Sequence, residues 1–523
     1  MTGTLRLMRF MLRRERRGLP WWLAGVTVLL LSQSTQSQSL YGTPEKLATL
    51  RRTVGSNTAV IAMSGPTGLL ETIGGEVMFE IFAFLGIVAA LMNMFLIGRT
   101  TRGDEETGRA ELIRSAPVGR RAPLTAALAF AALADLAAGV LVFAVGAGTG
   151  LPIAGSLLAG AALTTVGLTF AALTAVAAQL FENARAVYGA VGFLLGAAYV
   201  LRAAGDAGDG TLSWLSPIGW GQRTYPYAGD RWWPLLLPLA ATALLVAAAM
   251  VLLERRDIGA GLVRTRLGPA TASPALGNTF GLAWRLQRAA MIGWVAGLAL
   301  LGAAYGSIGN SIEQYVADNP EITQFLPPGS ILDSYLALTV GLSALIAAAY
   351  GVTCVLRLRA EETSGHAENV LATATGRLAW LAGSLSVALG GTALAMLAIG
   401  TGEGLAYALT VDDLGQVPRL IGVAFAYLPA VWLVAAVTVL AVGWLPKAAA
   451  ATAWVVVAYC AVVALFADSF DLPGWTQRAS PFAQTPRVPL EALTVTPLLV
   501  IVGVAAALVA TGYAGLRRRD VGY

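Results

Sequence analysis

Two acidic runs hold the residues most able to take part in chemistry or recognition. The first runs through Asp104, Glu105, Glu106 and Thr107 to Arg109 and Glu111. The second runs through Glu361, Glu362 and Thr363 to His366 and Glu368. Each run opens a short helical pattern with a small apolar patch, Leu112 and Ile113 in the first and Val370 and Leu371 in the second. Each closes on a Gly-Arg, at Gly119-Arg120 and Gly376-Arg377. Acidic residues early in a short helix complement its dipole. A charged and apolar knob of this kind suits docking into a groove on another protein, whereas a plain solvated loop is the simpler alternative. Its recurrence about 257 residues later favours docking.

Other chemistries find little support. The single histidine, His366, has no partner ligands, so a zinc site is not expected. Cys354 and Cys460 both lie in apolar runs, and there is no CxxC. Neither Lys46 nor Lys447 fits G-x-x-x-x-G-K-[ST], so the chain has no P-loop. No cofactor is expected on the chain and nothing points to nucleic acid. If ATP drives any activity here, ATP and Mg belong to a separate polypeptide.

The elements carrying these residues are set by composition. Hydrophobic residues make up 56% and charged residues 12%, with a mean hydropathy of +0.68. A soluble protein carries about 25% charged residues. Apolar runs of about 20 residues recur, as a lipid core about 30 Å thick requires. Backbone groups at that depth must be satisfied within each segment, so the runs are predicted helices. We place twelve, near 19–38, 76–98, 122–147, 151–181, 184–202, 233–253, 289–309, 333–356, 379–400, 419–445, 448–466 and 493–515. The fold class is all-α and polytopic, in two six-helix, pseudo-twofold halves: 1–253 and 285–523, joined by a linker at 254–284. The repeat also shows in Arg255-Arg256-Asp257-Ile258-Gly259 against Arg518-Arg519-Asp520-Val521-Gly522, and in Ser216-Pro217 against Ser480-Pro481.

An even number of spans puts both termini on one side, and arginine decides which. Every large basic cluster falls on the side of Arg6–Arg17, which the positive-inside rule makes cytoplasmic. Arg13–Arg17 before Trp21–Leu31 could also start a cleaved signal, but the following Ser32–Ser39 has no Ala-x-Ala cleavage site. The stretch Leu5–Arg14 mixes apolar and basic residues. It is either an interfacial amphipathic helix or only a topogenic signal. The first outer loop, 39–75, has room for a short amphipathic helix around Lys46–Met63. The cluster of Trp214, Trp220, Tyr225, Tyr227, Trp232 and Trp233, with Trp475 in the second half, is read as an interfacial aromatic belt, with an entrance for a greasy substrate as the alternative.

A substrate pathway is harder to place. The run Ser32–Ser39 ends the first span with polarity that is costly facing lipid, so Gln33 and Gln36 are pathway candidates. Asn310 ends the symmetric seventh span. Asn93 and Met94 could face a cavity from the second span. Asp135 is the one carboxylate placed deep in a span, where a charge costs about 3 kcal/mol or more. A structural polar contact, a substrate contact and a proton relay all remain open for it. Ordinary helix packing is the alternative for the rest.

With the EETGRAEL–GRR loop, its EETSGHAEN–GR copy, the basic start and the terminal RRDIG and RRDVG in place, the chain resembles the membrane subunit of type-2 ABC exporters, specifically the fused twelve-helix actinobacterial permeases of tetronasin-type polyketide and drug exporters. The resemblance covers essentially the whole chain. It implies a connector helix at the membrane surface and a coupling helix between the second and third spans of each half. It implies two copies of a separate ABC ATPase subunit, one below each half. It further implies alternating-access export of a hydrophobic or amphipathic small molecule across the bacterial plasma membrane. A proton-coupled carrier and a non-transporting partner of an ATPase stay as alternatives.

Overall fold

The computed structural model describes residues 3–55, 58–257, 259–263, 270–318, 330–466 and 473–520. Among them every regular element is helical. The chain divides into two compact units, Met1–Gly268 and Pro269–Tyr523.

The first unit opens with α1 (Thr4–Glu15) and α2 (Leu19–Tyr41), separated by a break at Gly18. Between α2 and the next long helix lie α3 (Pro44–Val54) and α4 (Thr58–Ser64). The single amphipathic helix expected around Lys46–Met63 is therefore two, because the helical run stops at Gly55. Next come α5 (Ile73–Gly98), a π-helical turn at Arg99–Gly103, α6 (Asp104–Glu106) and α7 (Arg109–Arg114). Four long helices and the short α11 complete the unit: α8 (Ala122–Gly148), α9 (Ile153–Leu180), α10 (Ala184–Ala207), α11 (Pro217–Gln222) and α12 (Leu236–Arg255). Helix starts carry the expected chemistry. Thr72 and Asn183 accept from the third amide of α5 and α10, at 3.0 and 2.8 Å.

The second unit begins with a single long helix, α13 (Thr279–Asp318), where the first has the broken pair α1 and α2. It continues through α14 (Ser330–Thr363), α15 (His366–Leu371), α16 (Arg377–Val411), α17 (Gln416–Ala426) and α18 (Leu428–Trp444). It ends with α19 (Ala449–Phe466), α20 (Gly474–Ala479) and α21 (Val495–Arg518). Close approach of α18 and α21 depends on Gly443 and Gly512. A Cβ on Gly443 would lie 2.1 Å from the Gly512 carbonyl oxygen. Lipid tails are as apolar as leucine, so such small-residue seams, rather than water exclusion, hold helices together in a bilayer.

Ten of the described helical segments are long and apolar enough to cross a membrane. The chain is thus an all-α, multi-pass membrane protein. Two of the twelve expected spans fall outside this set. In α2 the Ser/Gln run dilutes the hydropathy, and the apolar part of α19, Ala449–Ala464, is short.

The clustered aromatics divide into two groups. Trp232 and Trp233 are exposed. Tyr227 is instead buried, and its hydroxyl donates to Ser156 Oγ at 3.0 Å. It packs beside Gly74 and Gly155, where a Cβ on either would collide with the ring.

Candidate functional site

The first knob, 104–121, lies between α5 and α8, and the second, 361–377, takes in the last residues of α14 and runs to the first residue of α16. Gly108 and Gly365 turn the chain at φ +70° and +76°, a conformation that a Cβ disfavours. They stand 257 residues apart, as do Glu111 and Glu368, and Arg120 and Arg377. This register makes Asp104-Glu105 equivalent to Glu361-Glu362. The like-for-like match of the two Glu-Glu-Thr strings is thus out of step by one residue.

The carboxylates at the head of each knob point inward. Glu105 Oε1 accepts from Arg256 Nη2 at 2.7 Å, and its Oε2 accepts from Arg256 Nη1 at 3.0 Å and Arg102 Nη1 at 2.9 Å. Glu362 repeats this: Oε1 accepts from Arg519 Nη2 at 2.6 Å and Oε2 from Arg359 Nη1 at 2.8 Å. Arg102 and Glu362 are buried. A guanidinium fork on a carboxylate fixes geometry as well as energy. Such a pair, once buried, costs about 3–5 kcal/mol to break from one side. Asp104 is also buried and accepts two bonds from Arg14 of α1, each 2.9 Å, with Arg109 at 3.6 Å. Glu106 Oε1 accepts from the Ala184 amide at the start of α10, at 2.8 Å. Glu361 accepts from Arg357 Nε at 3.3 Å and Trp380 Nε1 at 3.4 Å.

The outward surface is made mostly by other residues. Glu106, Thr107, Arg109, Glu111 and Leu112 are exposed on the first knob, and Thr363, Ser364, His366, Glu368 and Asn369 on the second. Leu112 stands 75% exposed, and its counterpart by register is Asn369. Ile113, Val370 and Leu371 instead pack down against the cores of their own units. Of the small apolar patch read from the sequence, only Leu112 faces out. His366 shares a hydrogen bond with Ser364 at 2.8 Å. Helix α1 lies against the first knob's base with Leu7 and Met11 buried and Leu5 and Phe10 exposed.

The proposed pathway residues separate. Asp135 of α8 is buried, and its Oδ1 accepts from Asn93 Nδ2 of α5 at 2.7 Å. Asp135 Oδ2 and Asn93 Oδ1 have no hydrogen-bond partner. Gly167 of α9 leaves the space, since a Cβ there would sit 2.2 Å from Asp135 Oδ1. In the second unit the same register places Tyr350 and Thr392, and Thr392 Oγ1 accepts from Trp432 Nε1 at 3.2 Å. Met94 is buried in the core. Within the Ser/Gln run, Ser34 and Ser37 are the buried members. Ser34 meets Thr149 Oγ1 at 2.8 Å, and Gln33 Nε2 donates to Ser37 Oγ at 3.0 Å. Gln36 is exposed. The side chain of Asn310 lies outside the described residues.

Sequence reading missed Glu403. Its span was closed near residue 400, but α16 runs on to Val411 and carries Glu403 inside. The carboxyl is fully buried, with Oε1 accepting from Thr339 Oγ1 at 2.7 Å and Oε2 unpartnered. Gly302 and Gly306 of α13 press on the backbone around it. The available signal was that no proline interrupts residues 400–411.

Comparison with known proteins identifies the lineage. A family model described as "Multidrug efflux system permease Rv1217c, C-terminal domain" matches residues 7–253 and 276–517. The chain is 41% identical over 530 residues to the multidrug efflux system permease protein Rv1217c of Mycobacterium tuberculosis (strain ATCC 25618 / H37Rv), covering 99% of this chain and 95% of that one. The chain belongs to this permease family.

Proposed function

We propose, from membership of that family, that this chain is the permease subunit of an ATP-driven exporter that moves hydrophobic or amphipathic small molecules, drugs among them, out of the cell. The named relative is a multidrug efflux system permease. The chain itself lacks a P-loop, so two copies of a separate ABC ATPase would bind ATP and Mg and dock one to each unit. Arg14, Arg102, Arg109, Arg120, Arg121 and Arg256 gather at the end of the first unit that holds the knob. Under the positive-inside rule this clustering supports a cytoplasmic position for that end, and for both termini, of a bacterial plasma-membrane protein.

One observation carries the docking assignment. Each knob spends its buried acids on holding its own shape and presents a polar, charged rim outward, with Leu112 as an apolar anchor in the first. An exposed leucine among charges on a rigid support is what a groove on a partner requires. Alternating access would follow as the ATPases close on ATP and reopen after hydrolysis. The test is co-purification with a P-loop ATPase, followed by ATP-dependent export in vesicles. A permease that exports with no such subunit bound would sink the proposal.

A proton-coupled carrier gains from Glu403, since buried carboxyls now stand on the long helices of both units, Glu76 and Asp135 in the first and Glu403 in the second. Export that stops when the proton gradient is collapsed, and persists when the partner ATPase is inactivated, would favour that reading.

A further inference from the structure

The residue that follows the closing helix of each unit is gripped twice by the knob. Arg256 is held through its side chain by Glu105 at the head of the first knob. It is held again through its carbonyl oxygen, which accepts from Arg120 Nη2 at 2.7 Å, at the foot of the same knob. Arg120 also reaches the Leu253 carbonyl at 3.2 Å. The second unit repeats both holds. Glu362 takes the Arg519 side chain, and Arg377 Nη1 donates to the Arg519 carbonyl at 2.7 Å and to that of Leu516 at 2.9 Å. The last carbonyls of a helix have no partner within it, so these arginines satisfy groups that would otherwise need water or a cap.

This arrangement is a closed ring. Head of knob, arginine side chain, arginine carbonyl and foot of knob follow one another without a gap. A knob stapled at both ends to one residue cannot slide along the closing helix or rotate about it. Among the long helices that meet the knob, α5 and α8 in the first unit and α14 and α16 in the second are joined to it by continuous backbone. The closing helices α12 and α21 arrive from more than 100 residues away. Charged bonds of this number, in the same geometry in both units, therefore have a mechanical use beyond folding.

We infer that α12 and α21 are output elements of coupling: movement imposed on each knob is delivered to the closing helix through Arg256 and Arg519, which act as positioning residues. The inference rests on the ATPase docking at the knobs proposed above. In the first unit the same hub also grips the start of the connection to the second half. Arg102 Nη2 donates to the Ala260 carbonyl at 2.8 Å, and Arg256 Nη1 donates to it at 3.2 Å. The amide of Val263 donates to the Leu180 carbonyl at 2.9 Å. Residues 259–263 are thus part of the transmission rather than a slack tether.

The test uses the intact permease–ATPase complex. Nitroxide labels at Ala116 of the first knob and Leu244 of α12, both exposed, report the knob-to-helix distance, and a third site at Leu157 of α9 supplies a reference. In the wild-type background the Ala116–Leu244 distance is expected to be the same with and without ATP, while Leu157–Leu244 changes. An Ala116–Leu244 distance that itself changes with nucleotide would overturn the inference, and this measurement needs no variant of the ring. In Arg256→Met and Arg519→Met the complex is expected to form and hydrolyse ATP, while molecules exported per ATP fall by about tenfold or more, with Glu105→Met/Arg256→Met no worse than either single change. Export per ATP at the wild-type level in both variants would also overturn it. If the wild-type permease never binds an ATPase, the underlying reading fails instead, and the two failures are told apart before any variant is made.

Discussion

The two knobs share one internal brace and differ in everything around it. The first is tied to α1 through Arg14 and Asp104, to α10 through Glu106, and to α9 and residues 259–263 through Arg102 and Arg256. The second has the ring with α21, and beyond it the local contacts of Glu361 with Arg357 and Trp380. The break that frees α1 as a separate helix has no equivalent at the start of α13. The outward faces differ as well, with Leu112 and Arg109 on one and Asn369 and His366 on the other. Two copies carried in one chain can vary separately. What stayed the same is what joins the knob to its closing helix, and what diverged is its support and its contact surface.

The largest expected effect comes from breaking the shared part. Glu105→Lys places a third cation between Arg102 and Arg256 and should destabilise the first unit by about 3–5 kcal/mol. Glu362→Lys should do the same for the second. Thermal unfolding of the detergent-purified protein would show it, and an unchanged midpoint for either would mean that the ring carries little stability. The next effect tests the space made for Asp135. Gly167→Ala drives a methyl into its carboxyl and should cost about 1–3 kcal/mol, whereas Gly25→Ala, which meets nothing within 4 Å, should be silent in the same assay.

The outward faces give a smaller and deliberately unequal pair. Leu112→Asp should weaken capture of the ATPase by about 1–2 kcal/mol, with Asn369→Asp changing it by less than half as much. Equal losses measured by titrating ATPase onto the immobilised permease would erase the proposed difference between the docking faces. The most localised effect belongs to the support found only in the first unit. Arg14→Ala leaves the buried Asp104 with the more distant Arg109 and should cost about 1–3 kcal/mol locally. Hydrogen exchange should rise at the amides of 104–114, with 361–371 unchanged. A rise in both stretches would show that the knobs do not behave independently.

Much of this was legible in the residues. Runs such as Ala122–Val145 can only be helices in lipid, and they are. Glycine at 108 and 365 and arginine at 120 and 377 marked equivalent corners of two knobs. The acidic residues were also found, but their direction was not. Glu105 and Glu362 read as contact residues for a partner, and they turn out to be internal braces. The difference lies in Arg256 and Arg519, whose motif was visible as a repeat but carried no indication of what it faced. Glu403 escaped because hydropathy marks where a span enters lipid and not where its helix stops.

By itself, then, the order of residues determined the properties that are local or periodic: helix against strand, membrane against water, one copy against the next, and a charged turn at a given place in each. Those follow from the desolvation of the backbone and from side chains a few positions apart. Tertiary structure alone decided which acids point inward, which leucine is left outside, and which helix each knob holds. A carboxylate pairs with whichever guanidinium the packing brings within about 3 Å, and for Glu105 that partner lies 151 positions along the chain.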